Sequence, residues 1–174
     1  MLFRSGSFKN GAVTHLRDYF REDGATPSLR MFNLRHEFPT QWPRFLNPTA
    51  PATANVFELE MSPNLFPFRD GEKTLKVNTI VLLARCTQAG SYNVDVTLTP
   101  PLPATSVTMT LARIAQYGGL HFSQKDVSTL SDPIQVVPSD PPVTWQLTMT
   151  HSSGAHIQSG EVSDLILVLG YEWE

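Results

Sequence analysis

The chain has 174 residues, of which 41% are hydrophobic, and its formal net charge is −3; this suits one globular domain that buries roughly 70% of its unfolded surface. The acidic balance argues against nucleic acid as a partner, because phosphate backbones are bound through clustered Lys and Arg. The single cysteine, Cys86, excludes an internal disulfide, and the apolar runs are far shorter than the ~20 residues that a membrane-spanning helix needs.

Residues 1–27 mix glycines with charges and carry one weak helical pattern. Within residues 12–22, four side chains are spaced for one face of a short helix: Val13, Leu16, Tyr19 and Phe20. The start lacks the sustained apolar core of a secretory signal peptide. We interpret the segment as an N-terminal appendage, helical or irregular, and expect a chain without it to fold.

From Leu29 onward the hydrophobic period changes to two, which is typical of half-buried β-strands. Four stretches alternate clearly between apolar and polar side chains: residues 57–61, 92–98, 107–111 and 143–150. Residues 80–84 and 165–169 instead are apolar at consecutive positions, which predicts central strands covered on both faces.

Prolines and glycines lie mostly between these runs, as expected for turns and sheet edges. The pattern predicts an all-β domain over residues 28–174, built as an antiparallel β-sandwich. If the register is right, one core contains Phe57, Leu59, Val77, Val94, Val96, Trp145, Leu147, Leu167 and Leu169.

The five histidines do not show the spacing of zinc ligands on one helix or strand. The nearest candidate is the pair His151 and His156, which lacks a Cys or a close carboxylate and occupies a polar turn. A hairpin tip is therefore the favoured interpretation, and neither a metal nor another cofactor is predicted.

Two further features are candidates for catalytic chemistry. Glu58 and Glu60 point the same way from one strand, with side chains roughly 7 Å apart, within the range used by glycosidases. The favoured alternative is that they form the solvent side of an alternating strand. Cys86 follows an apolar run, which favours a structural thiol over a nucleophile. No catalytic residue is predicted, and we expect the chain not to be an enzyme.

The stretch over residues 32–48, FNLRHEFPTQWPRFLNP, combines arginine, proline and large aromatics. In an extended segment Arg35, His36 and Glu37 cannot face one another, because neighbouring side chains point to opposite sides. The stretch therefore suits protein docking better than catalysis. The alternative is that its aromatics, Trp42 and Phe45 with Leu46, close one end of the sandwich.

The same region carries a family resemblance. Residues 38–46 (Phe-Pro-x-x-Trp-x-x-Phe-Leu), residues 65–68 (Leu-Phe-Pro-Phe) and the apolar final strand VSDLILVLGYEW are its most telling parts. From Leu29 to Trp173 the chain resembles the TcB-binding domain, the C-terminal region of the A components of Tc-type insecticidal toxin complexes, which are bacterial virulence factors.

In that family the A component forms a large pentameric translocation channel, and its C-terminal domain docks the cocoon made by the B and C components. The resemblance implies a non-catalytic docking module, a B-component-like toxin subunit as partner, and secretion as part of a toxin complex. The resemblance covers only the C-terminal domain of that family and not its helical shaft, channel and receptor-binding parts, so it does not imply pentamer formation or toxin action. An excised domain, a separately encoded relative and a fragment with another role all remain open, as does homo-oligomerisation.

The docking surface is inferred from side-chain chemistry, because the resemblance assigns no interface residues. We predict that it is formed by two loops, residues 32–48 and residues 65–71. Each joins arginine to large apolar groups and is stiffened by proline, and such loops lose little entropy on binding. The predicted partner-binding residues are Trp42, Arg44, Phe68 and Arg69. The alternative function is a carbohydrate-binding β-sandwich module, in which exposed aromatics such as Tyr117, Trp42 or Trp173 stack on sugar faces.

Overall fold

The computed structural model describes residues 28–49, 54–67, 73–87, 90–98, 106–136 and 142–174. The expected appendage, residues 1–27, lies outside the described residues. The strands in this part of the chain are β1 (Ser28–Asn33), β2 (Asn55–Met61), β3 (Leu75–Cys86), β4 (Tyr92–Leu98), β5 (Ser106–Ile114), β6 (Leu120–Asp126), β7 (Gln135–Val136), β8 (Val143–His151) and β9 (Val162–Trp173). The same part of the chain has two short helices, α1 (Leu34–Glu37) and α2 (Gln41–Leu46). It also has two 3₁₀ turns, Pro63–Leu65 and Ala115–Tyr117.

The strands pair antiparallel in the order β1-β9-β3-β6-β5-β4-β8-β2, and β7 pairs with β3. The sheet curls like half of a barrel. Strand β5 is the turning point, because its residues 106–111 pair with β4 and its residues 112–114 pair with β6. We call β1, β9, β3 and β6 the β3/β9 half, and β5, β4, β8 and β2 the β2/β8 half.

The prediction of a mainly β, antiparallel domain is confirmed. The strand pairing continues from one half to the other through β5, so hydrogen bonding joins the two halves in one curled sheet. Among the described residues no helix is long and apolar enough to cross a membrane.

The main core lies on the inward face of both halves. Leu82 and Leu167 of the β3/β9 half share one buried cluster with Leu59 and Trp145 of the β2/β8 half. Eight of the nine predicted core residues belong to this cluster, which confirms the register; the side chain of the ninth, Val96, lies outside the described part of the structure.

The two consecutive apolar runs are buried throughout. Every residue from 80 to 84 and from 165 to 169 is at most 1% exposed. Strands β3 and β9 pair with each other in the middle of their half, and each has a second neighbour. The prediction of central strands covered on both faces is therefore confirmed.

Asn55 fastens the start of β2 to two other segments. Its side-chain Nδ2 donates to the carbonyl oxygens of Phe45 at 2.7 Å and Ile157 at 3.1 Å, and its Oδ1 accepts from the Ile157 N–H at 2.6 Å. The side chain is fully buried, where every polar group requires a partner. It thereby fixes the end of α2 against β2.

Candidate docking surface

Helix α2 has one buried face and one exposed face. Trp42 is 8% exposed and Phe45 is fully buried, and their rings lie 6.4 and 5.7 Å from the ring of Phe57 on β2. Gln41 and Arg44, also three residues apart, face outward, because positions i and i+3 lie on the same side of a helix. Packing of the aromatic face therefore fixes where Arg44 is presented.

Beside this helix is a surface depression of about 170 Å³, lined by Gln41, Arg44, Val56 and Glu58. Val56 is 41% exposed and stands on the outward face of β2. Arg44 and Glu58 supply opposite charges beside the apolar side chain of Val56. Glu58 also accepts a long hydrogen bond, 3.4 Å, from the Gln146 side chain on β8. The depression thus combines an apolar contact with positive and negative groups.

Of the four predicted partner-binding residues, Arg44 lies at this depression and Trp42 lies on the buried face of the same helix. At 8% exposure Trp42 fits the alternative interpretation, in which it closes one end of the core. Phe68 and Arg69 lie outside the described residues. Sequence reasoning missed Val56, although it offered a signal: Val56 shares the outward parity of Glu58 and Glu60 and is the apolar exception there.

The second predicted loop, residues 65–71, is described as far as Pro67. Arg30 Nε donates to the carbonyl oxygen of Leu65 at 2.8 Å, and the Tyr171 hydroxyl donates to that of Pro67 at 3.1 Å. Phe66 is 3% exposed and packs edge-on against Tyr171, with ring centroids 5.0 Å apart. The start of this loop is therefore held tightly by β1 and β9.

One chain of aromatic contacts joins the two predicted loops. Its ring centroids are separated by 6.4 Å for Trp42–Phe57, 5.9 Å for Phe57–Phe38, 6.3 Å for Phe38–Phe32 and 5.8 Å for Phe32–Phe66. Tilted and edge-to-face pairs at these separations are favourable beyond simple burial. Helix α2 and the start of the 65–71 loop consequently rest on the same rigid aromatic layer.

The Arg35-His36-Glu37 triplet is helical, so the expectation of an extended segment was wrong. Asn33 caps α1 by accepting from the His36 N–H at 3.1 Å, and Glu37 accepts from the Asn33 N–H at 2.8 Å. Arg35 donates to the carbonyl oxygen of Ser163 at 2.9 Å. The triplet forms and anchors a helical turn.

The histidine pair has a carboxylate partner that sequence reasoning missed. His151 Nε2 lies 2.8 Å from Glu161 Oε2, and that oxygen also accepts from the Gln158 N–H at 2.8 Å. His156 contacts Gln158 instead. These bonds close the connection between β8 and β9, and no group of three His, Cys, Asp or Glu residues suited to a metal occurs in the described ranges.

Burial raises the pKa of the Cys86 thiol to about 12. The thiol is therefore protonated at neutral pH, as the prediction of a structural cysteine requires. Glu58 and Glu60 are exposed on the outward face of β2, in agreement with the prediction that they form its solvent side.

The aromatics considered for sugar stacking come from three separate elements. Trp42 is buried on α2, Trp173 packs edge-on against Tyr171 at 6.1 Å, and Tyr117 packs against Phe122 at 6.4 Å. Each therefore already has an aromatic neighbour within the fold.

A scan against protein-family models found no match to the chain, and a search of curated proteins also found none.

Proposed function

We propose that this protein is a non-catalytic protein-docking module of the kind that the TcB-binding domain resemblance implies. One observation carries the proposal: exposed Arg44 and Val56 stand beside Glu58 in a depression, and packing of Phe45 on Phe57 fixes the helix that presents Arg44. Arginine next to a preorganised apolar site is a common composition of an energetic hot spot.

The proposal includes a two-layer β-sandwich as the architecture behind the surface. Leu82 and Leu167 on one side, and Leu59 and Trp145 on the other, belong to one cluster, which supports two facing layers. In this architecture β5, which pairs with both β4 and β6, would be the corner strand between the two layers.

The partner proposed is a B-component-like subunit of a toxin complex. The test measures binding of a purified B component to the full chain and to its Arg44→Glu and Arg69→Glu variants. Each variant is expected to weaken binding by about 1 kcal/mol or more, a fivefold or greater rise in Kd. Arg44→Glu should leave the folded state nearly unaffected, because Arg44 is exposed and exposed charges contribute little to stability.

Lys125→Glu is the matched control, since it makes the same charge reversal at an exposed position on β6. It should bind like the parent. Equal binding by the parent and both arginine variants would place the interface elsewhere, whereas absence of any binding would remove the docking function itself. Specific signals on a glycan array, together with no B-component binding, would favour the carbohydrate-binding alternative.

A further inference from the structure

The connection between β8 and β9 ends in a tight turn from Gln158 to Glu161. The Glu161 N–H donates to the Gln158 carbonyl oxygen at 3.1 Å, and Gly160 between them has a φ of +91°. Glu161 is 9% exposed, and its Oε2 accepts from the Gln158 N–H at 2.8 Å and lies 2.8 Å from His151 Nε2. Its carbonyl oxygen accepts from the Thr87 N–H at 2.8 Å. Glu161 therefore closes the turn and ties it to the end of β8.

This turn is joined to helix α2 through the buried side chain of Asn55. Ile157, the residue before the turn, is fully buried, and both of its backbone groups bond to Asn55. The same Asn55 amide nitrogen donates to the carbonyl oxygen of Phe45 at 2.7 Å. Phe45 lies in the last turn of α2, where carbonyl oxygens have no partner within the helix. A continuous line of covalent and hydrogen bonds therefore runs from Glu161 to the helix that presents Arg44.

We propose that Glu161 is a positioning residue for docking: by closing the turn that follows Ile157, it holds α2 in the place from which Arg44 meets a partner. This inference rests on the proposed docking function. Two of the three hydrogen bonds of Asn55 go to Ile157, so a shift of Ile157 weakens the bond between α2 and the rest of the fold. In a buried site water does not replace such bonds.

The aromatic packing of α2 determines what kind of effect to expect. Helix α2 has only six residues, so its order depends on contacts outside the helix. Packing of Trp42 and Phe45 on Phe57 keeps it against β2 in any case. Loss of the Glu161 contacts should therefore loosen the end of α2 and weaken docking, without unfolding the domain.

Hydrogen exchange and partner binding, measured on the full chain, test the two parts of the inference. Glu161→Ala should speed exchange of the Asn47 N–H, which bonds to the Pro43 carbonyl oxygen at the end of α2, by about threefold or more. It should also raise the Kd for a purified B component by about three- to tenfold. Glu161→Gln should bring both values to within about twofold of the parent, because an amide accepts from the Gln158 N–H and donates to histidine.

Asp126→Ala is the matched control. Asp126 also closes a turn, because its Oδ1 accepts from the Ser128 N–H at 2.9 Å, and among the described residues no hydrogen bond links this turn to α2. The substitution should change neither the exchange in α2 nor the Kd. A double-mutant cycle adds a second check: in the Asn55→Ala background, Glu161→Ala should change the Kd by less than about twofold, since the link to α2 is already broken.

Unchanged exchange or an unchanged Kd for Glu161→Ala would overturn the inference. So would an equal effect of Asp126→Ala, no recovery in Glu161→Gln, or a full effect of Glu161→Ala in the Asn55→Ala background. If Glu161→Ala does not fold, Gly160→Ala replaces it, because a positive φ favours glycine and the change strains the same turn. If no B component binds the parent, the docking function fails, and the exchange rates alone decide whether Glu161 holds α2.

Discussion

The outward faces of the two halves differ in chemistry. On β8 the outward residues are Thr144, Gln146, Thr148 and Thr150, all partly exposed, while on β9 the corresponding side of the sheet holds fully buried Ile166 and Val168. Both halves nevertheless bury the same kind of inward residue in one core. The sequence pattern differs accordingly, because a strand covered on one face alternates and a strand covered on both faces does not.

This comparison shows that a short apolar run carries information about how many layers cover a strand. Strands β3 and β9, each of 12 residues, pair with each other over most of their length. Both faces of these strands are covered over residues 80–84 and 165–169. The outer face of the β2/β8 half instead carries partly exposed polar residues, and the proposed docking surface lies on this side.

Trp145→Ala is expected to have the largest effect. Trp145 is 1% exposed on the inward face of β8, so its truncation should reduce the free energy of unfolding by about 3–5 kcal/mol. Thr148→Ala, on the outward face of the same strand, should change it by less than about 0.5 kcal/mol. Urea denaturation of the parent and both variants measures the two values. A loss below about 1 kcal/mol for Trp145→Ala would contradict the inward register of β8.

Leu83→Ala sharpens the contrast between the outer faces of the two halves. Leu83 is 1% exposed, so its truncation should cost about 2–5 kcal/mol in the free energy of unfolding. Val56→Ala, on the outward face of β2 where the side chain is 41% exposed, should cost less than about 1 kcal/mol. Equal, small losses in chemical denaturation would mean that the β3/β9 half is not covered on its outer face.

Asn55→Ala tests whether one polar side chain holds α2 on the β2/β8 half. The substitution leaves the buried carbonyl of Phe45 and two backbone groups of Ile157 without their side-chain partner. We expect a loss of about 1–3 kcal/mol in the free energy of unfolding. We also expect faster amide exchange in α2. Asn93→Ala, on the outward side of β4, is the control; if it destabilises as much as Asn55→Ala, the three hydrogen bonds contribute little.

The core residues could be predicted because hydrophobic alternation specifies a strand's inward face without knowledge of its partners. Leu59 and Trp145 were assigned in this way and lie opposite each other in β2 and β8. Strand order could not be predicted, since alternation says nothing about which strands are neighbours. In particular, β5 pairs with β4 along its first part and with β6 along its last part, and the point of change depends on where these partners end.

The features that the sequence did not predict depend mainly on polar contacts, some local and some between distant residues. Helix α1 has only four residues, too few for a hydrophobic period, and it depends on capping by Asn33 and Glu37. Asn55 joins residues that are 10 and 102 positions away, so its role follows from the fold. At the candidate surface, Arg44 could be predicted from the composition of its loop. Val56 belongs to the same surface only because α2 packs beside β2.

The last prediction concerns the ionisation of Cys86 and Tyr92, which has the smallest expected effect on stability at neutral pH. These residues lie at the junction of the two halves, where β3 ends at Cys86 and β4 begins at Tyr92. Burial raises the pKa of Cys86 from 9.0 to about 12 and also raises that of Tyr92 above its ordinary 10.0. At neutral pH both groups are protonated in the folded and unfolded chains. As the pH rises through 9 the thiol of the unfolded chain ionises first, so stability should fall as the pH rises further towards 12.

Urea midpoints measured from pH 7 to pH 11 check this expectation. The parent should be constant up to about pH 9 and then decline, and Tyr92→Phe should decline less steeply because one of the two groups no longer ionises on unfolding. Tyr117→Phe, at a partly exposed tyrosine outside the junction, is the control and should follow the parent. The thiol gives an independent reading: burial raises the pKa of Cys86, so fewer thiolates form in the folded chain and its reaction with a disulfide reagent at pH 8 should be slower there than in urea. A folded chain that reacts as fast as the unfolded one, with midpoints independent of pH, would show that the junction is open to water and that the two halves are not closed around it.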